Sequence, residues 1–175
     1  MALKHFSPDE MNRALEAVIP SLWRFAVTLT RNSVDADDLT QATCLRALEK
    51  REQFQKGGQF RAWCVTICRS IWLNQMRAAR VRQTQDIDGV TDDALAALLP
   101  DTVSNIFAAE VFKEIMKLPA AQREAVVLVY AEGYRYSEAA KILDVPIGTI
   151  MSRLAAARAK LKWMRSDDAD QVKEG

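Results

Sequence analysis

The side chains of this chain that could do chemistry are cations and aromatics set at helical spacing. At about 100° per residue, Arg61, Arg69 and Arg80 fall on one side of a helix with Trp72 and Met76 between them. Phe60, Trp63, Cys64, Ile67 and Ile71 crowd the opposite, core-facing sector. An outward tryptophan interleaved with guanidinium groups offers an unpaired nucleic-acid strand a stacking plate and phosphate partners. The bland alternative makes Trp72 a packing residue and the arginines a solvated face. The helix before it carries two stripes. Ala36, Leu39, Thr43 and Ala47 make one, and Asp38, Gln41, Leu45 and Leu48, at offsets 0, 3, 7 and 10, make the other. If the first faces its own core, the second, leucines mixed with a carboxylate and an amide, suits a protein partner. The alternative is a helix buried all round. On the last helix, Ile147, Ile150, Leu154, Ala157 and Leu161 form the core stripe. Gly148, Ser152, Ala155, Ala156 and Ala159 lie opposite, small enough for the backbone to approach a groove closely. Thr149, Met151, Arg153, Arg158 and Lys162 flank them, and such cations hold phosphates more often than they read bases.

Catalytic patterns are absent: no Gly-rich phosphate loop, no His-Glu-x-x-His and no Gly-x-Ser-x-Gly. The single histidine, His5, lies near a terminus, a poor place for a general base. Cys64 and Cys68 sit on or beside a core stripe without a second ligand pair for tetrahedral zinc, so buried small hydrophobes are expected. With Cys44 they make an odd count suited to a reducing compartment. No apolar run approaches ~18 residues, and the start lacks a signal-peptide pattern. A cytoplasmic protein without cofactor, metal or membrane insertion is expected, and not an enzyme in itself.

The elements that must position these faces read as helices throughout. Ser7-Pro8-Asp9-Glu10 is a capping box with proline at the first helical position. Pro20 is expected to break that helix, which restarts over 22–30. Ser33 can cap a second helix running to about Arg51, Gly57-Gly58 marks a loop, and a third helix follows over 60–82. Residues 83–105 carry acids, Gly89 and Pro100 but no Lys or Arg, and read as a linker with a short helix at 94–99. Apolar periodicity resumes over 106–117, 119–132, 136–143 and 147–163, and Asp144-Val145-Pro146 joins the last two as a helix-turn-helix. Charge follows the same divisions. Residues 1–82 hold thirteen bases and eight acids, net +5, and residues 83–110 hold six acids and no base, net −6. Residues 111–165 return to +5, and residues 166–175 carry −3, so a total of +1 hides two basic blocks. That asymmetry points to polyanion binding. The fold class is all-α, two small helical domains joined by an acidic linker.

These residues resemble a family. The run Ala36-Asp37-Asp38-Leu39-Thr40-Gln41, with Arg46-Ala47-Leu48 after it, resembles the core-polymerase-binding helix of extracytoplasmic-function (ECF) sigma factors. Phe60-Arg61-Ala62-Trp63, then Ile67, Trp72 and Arg77, is similar to their −10 element helix. Leu118-Pro119, Gln122-Arg123-Glu124, Glu138-Ala139-Ala140 and the run from Val145 to Leu154 are similar to their −35 binding domain. The resemblance implies region 2 over 1–83, a linker over 84–104, region 4 over 105–166 and an acidic tail over 167–175. It implies core RNA polymerase as the partner of Asp38, Gln41, Leu45 and Leu48. It further implies −10 single strand on Arg61, Arg69, Trp72, Arg77 and Arg80. The −35 duplex would lie on Gly148, Thr149, Met151, Ser152, Arg153, Ala155, Arg158 and Lys162. Gly148-Thr149-Ile150-Met151-Ser152-Arg153-Leu154 and Trp72 further resemble the alphaproteobacterial general-stress branch, which implies an anti-sigma factor. Ser70 and Asn74 stand where many relatives have Asn and Asp, Met151 where many have a cation, Arg135 at a usual Ser/Thr cap, and Asp144 at a common Gly. Two rivals compete. A stand-alone helix-turn-helix regulator would bind palindromic operators without polymerase. A sigma mimic that titrates an inhibitor would not need the Arg61, Arg69, Trp72 and Arg80 face.

Overall fold

A computed structural model describes residues 6–55, 57–81 and 105–161, with side chains in the last stretch from 109. The chain divides into two units, residues 1–89 and 90–175. The described residues are helical, with no strand among them. The expected helix at 94–99 lies outside the described residues, as does Lys162.

In the first unit, α1 (Pro8–Thr30) opens on the expected capping box: Glu10 N–H donates to Ser7 Oγ and Ser7 N–H to Glu10 Oε2 at 2.8 Å. The helix runs through Pro20 without a break, against expectation. Proline in a helix interior costs about 3 kcal/mol. Leu15, Val18, Leu22, Phe25 and Leu29 are all buried on one stripe across it, and each such burial contributes ~1.5–3 kcal/mol. Glu16 and Pro20 are exposed, so water reaches the carbonyl that the missing N–H leaves unbonded. The cap of α2 (Ser33–Glu49) is Asn32, not Ser33; its side chain accepts from Asp35 N–H at 3.0 Å. The helix stops at Glu49, before a short 3-10 turn at Arg51–Gln53. Trp23 Nε1 donates to Asp37 Oδ1 at 2.6 Å, tying α1 to α2 near its N-terminus. Buried Thr28, Thr30, Thr40 and Thr43 satisfy their hydroxyls on carbonyls four residues back.

The third helix, α3 (Phe60–Val81), packs on both α1 and α2. Its buried residues are Cys64, Val65, Ile67 and Cys68, a wider sector than one neighbour would need. Phe60, Trp63 and Ile71, expected in the core, are half-buried. Burial pushes the Cys64 and Cys68 thiols up to about 12, so both stay protonated near neutrality.

The second unit holds α4 (Asn105–Met116), α5 (Ala120–Val126), α6 (Tyr136–Leu143) and α7 (Ile147–Lys160). The helix expected over 119–132 changes pitch: Val127–Ala131 is a π-turn in which Glu132 N–H donates to Val127 O at 2.9 Å. The core is Met116, Val126, Leu128, Leu143, Ile150 and Leu154, all nearly inaccessible. Arg123 is buried among them and donates to Leu118 O at 3.0 Å and Met116 O at 3.4 Å, satisfying the carbonyls that end α4. At α6 the missing side-chain cap is replaced from the other end, as Glu138 Oε2 accepts from Arg135 N–H at 2.8 Å. Asp144 ends α6 in the left-handed region, φ 52°. Replacing Asp144 with glycine removes that strain, worth ~1 kcal/mol, and should raise the thermal midpoint of this unit in calorimetry.

Candidate polymerase and nucleic-acid surfaces

On α2 the two stripes separate cleanly. Ala36, Leu39, Thr43 and Ala47 are buried, whereas Asp38 and Gln41 are exposed. Leu45 is 63% exposed and Leu48 37%. The all-round burial alternative is therefore overturned. A helix whose core is complete displays two leucines, a carboxylate and an amide together, where exposure costs apolar hydration unless a partner covers them.

On α3 the structure rearranges the expected face. Arg69, Trp72 and Met76 are half-buried, and Arg77 and Arg80 are exposed. Val65 is buried at an angle between Trp72 and Arg69, so the outward face opens only beyond it, and Arg61 is half-buried beside the core. A second feature lies round the helix. A cavity of about 470 Å³ is lined by Arg46, Lys50, Gln53, Trp63, Ser70 and Asn74, with Thr66, Ile67, Ile71 and Gln75. At about 100° per residue, Ser70, Asn74 and Arg77 share one side and Trp72 lies roughly 160° from Asn74. Arg77 Nη1 donates to Asn74 Oδ1 at 3.0 Å, which joins Arg77 to the cavity and not to Trp72. The wheel of α3 alone does not show this site, because Arg46, Lys50 and Gln53 come from α2 and the turn after it. Ser70 and Asn74, two of the five departures from the family pattern, both line it.

In the second unit, α6 and α7 form the helix-turn-helix. Ile150, Leu154, Ala157 and Leu161 are buried as expected, but Ile147 is 45% exposed, because it opens the helix beyond the reach of the core. Gly148, Met151, Ser152 and Ala155 are exposed, and Thr149, Arg153 and Arg158 half-buried. Ser152 Oγ donates to Thr149 O at 3.0 Å, leaving its lone pairs outward. A Cβ at Gly148 would meet nothing within 4 Å, so internal packing does not require glycine there. Gly148→Ala should stabilise α7 by up to ~1 kcal/mol. If the backbone approaches a groove at that point, the same variant should weaken −35 duplex binding. Opposite signs in calorimetry and DNA titration identify a contact; equal binding assigns Gly148 no contact.

A helical unit with a cationic, cavity-bearing helix and a second unit built on a helix-turn-helix are the parts of a two-module nucleic-acid-binding protein. Residues 14–82 match the family model of Sigma-70 region 2, and residues 109–161 that of Sigma-70, region 4. The ECF RNA polymerase sigma factor EcfG of Rhodopseudomonas palustris is 39% identical over 153 residues, covering 87% of this chain and 83% of that protein. The ECF sigma factor SigC of Mycobacterium tuberculosis is 36% identical over 161 residues, covering 85% and 82%. The sigma factor RpoE of Bartonella quintana, solved in complex with the anti-sigma factor NepR, superposes with a TM-score of 0.75 at 33% identity. That match covers 89% of this chain and 96% of the other. The chain belongs to the ECF RNA polymerase sigma factors. No helix among the described residues is long and apolar enough to cross a membrane.

Proposed function

We propose that the chain binds core RNA polymerase through Asp38, Gln41, Leu45 and Leu48, and that polymerase then presents promoter DNA to both units. The observation that carries this reading is the exposed leucine pair opposite a completed core on α2. In the first unit, Arg69, Arg77 and Arg80 track the −10 strand backbone, with Arg61 at its edge. The cavity has the volume for one unstacked base, with Trp63 as an aromatic wall and Gln53, Ser70 and Asn74 as hydrogen-bonding groups. Trp72, on the far side of α3, stacks on a different nucleotide. In the second unit, Gly148, Thr149, Met151, Ser152 and Ala155 face the −35 groove, and Arg153, Arg158 and Lys162 hold phosphates. The protein works in the cytoplasm as a dissociable, non-catalytic subunit of an enzyme. Its likeness to EcfG and to the NepR-bound RpoE supports the general-stress branch and control by an anti-sigma factor.

Mobility shifts at ~0.15 M salt separate this from a stand-alone regulator. The outward face of α7 offers little bidentate readout, which is worth ~1–3 kcal/mol per pair. The free chain and its 105–165 fragment should therefore bind weakly and lose affinity steeply with salt. Tight, sequence-specific binding by the free chain favours the regulator.

A further inference from the structure

The wall of the cavity is not held by the cavity residues alone. Phe6, just before the cap of α1, stacks on Phe54 with ring centroids 5.4 Å apart and planes 6° apart, and meets Phe60 edge-on at 5.5 Å. Phe54 in turn meets Phe60 at 5.1 Å and Trp63 at 5.2 Å, and Phe60 meets Trp63 at 5.8 Å. Phe54 and Phe60 each meet the other three rings of this cluster, and Phe54, 5% exposed, is its buried hub. It follows Gln53 directly, and Gln53 and Trp63 both line the cavity. The loop closes around the hub at Gly58, where a Cβ would come within 3.2 Å of the Phe54 ring and of Gln55 O. One ring of the cluster comes from the start of α1; the other three come from the loop after α2 and the first turn of α3. Aromatic pairs have preferred geometries, so a ring inserted from a separate element fixes both the loop and the plane of Trp63.

We infer that Phe6 is a positioning residue for base selection: through Phe54 it sets the separation of Gln53 and Trp63, and so the shape that a flipped base must match. Phe6 lies outside the lining of the cavity, so its effect on a base there passes through the other rings. This rests on the reading of the cavity as a base site. A looser wall still admits the cognate base but rejects the wrong ones less well, so the loss falls on discrimination more than on total transcript.

The test uses holoenzyme reconstituted from core polymerase and the full chain, transcribing a promoter pool carrying single-base changes at each −10 position. Phe6→Ala should bind core as the unaltered chain does, yet lower the cognate-to-variant transcript ratio about fivefold at the one position whose base enters the cavity. Phe6→Tyr, which keeps the stacked plate and can point its hydroxyl outward, should restore the ratio. If Phe6→Ala does not fold, Phe6→Leu, which keeps bulk without the ring, carries the same test. An unchanged ratio, an equal loss across all promoter variants, or failure of Phe6→Tyr to rescue overturns the role of Phe6. Asn74→Ala separates the two layers of the argument. If it leaves every ratio unchanged, the base-site reading falls and the role of Phe6 with it. If it shifts one ratio and Phe6→Ala does not, only the role of Phe6 falls.

Discussion

Leu45→Arg should abolish binding to core RNA polymerase while leaving the helical circular dichroism spectrum unchanged. Leu45 is 63% exposed on α2, so arginine meets no steric obstacle in the free chain. The buried stripe of Ala36, Leu39, Thr43 and Ala47 on the opposite side is untouched. In a complex the same position would be desolvated, and an unpaired guanidinium there costs several kcal/mol. A loss of roughly a hundredfold or more in affinity follows from about 2.7 kcal/mol. Gln41→Arg should act in the same direction. A variant that binds core normally by fluorescence titration removes this face from the account, whereas an unfolded variant would place Leu45 in the core.

Arg123→Ala should unfold the second unit and leave the first intact. Arg123 is 6% exposed and donates to the carbonyls of Met116 and Leu118. Alanine leaves those acceptors without a donor in the interior, at ~1–3 kcal/mol each, and opens a cavity besides. A unit of this size has little stability to spare. Calorimetry should show the thermal transition of the second unit lost or moved far down, with the first unit's unchanged. Activity that depends on −35 sequence should disappear. Retention of both transitions would show that Arg123 is an ornament of the core and not a tie.

How much of this was legible beforehand depends on whether one element or several decide a position. The two stripes of α2 could be separated on sequence because they differ in side-chain chemistry, small and apolar against long and mixed. The helix-turn-helix was marked by Asp144-Val145-Pro146 between two periodic segments, and α6 matches its expected bounds. Pro20 misled because its local cost of about 3 kcal/mol is outweighed by burial that only the folded unit reveals. Residues 125–129 are apolar without a period, so a π-turn and an α-turn read alike there. Val65, absent from the expected core stripe of α3, is buried because that helix packs on two neighbours. The cavity brings Arg46, Lys50 and Gln53 against Trp63 and Asn74, residues that no single helical wheel contains. Asp144 shows the reverse, a departure from the family pattern that the left-handed backbone accommodates.

Run-off transcription tests most directly whether polymerase and this chain act together. Core polymerase would be mixed with promoter fragments from the chain's own genome, with and without the full chain, and transcript ends sequenced. Defined start sites are expected only when the chain is present, and are lost with Leu45→Arg. Transcripts unchanged by the chain, or specific DNA binding by the chain with no effect on core polymerase, would contradict this expectation.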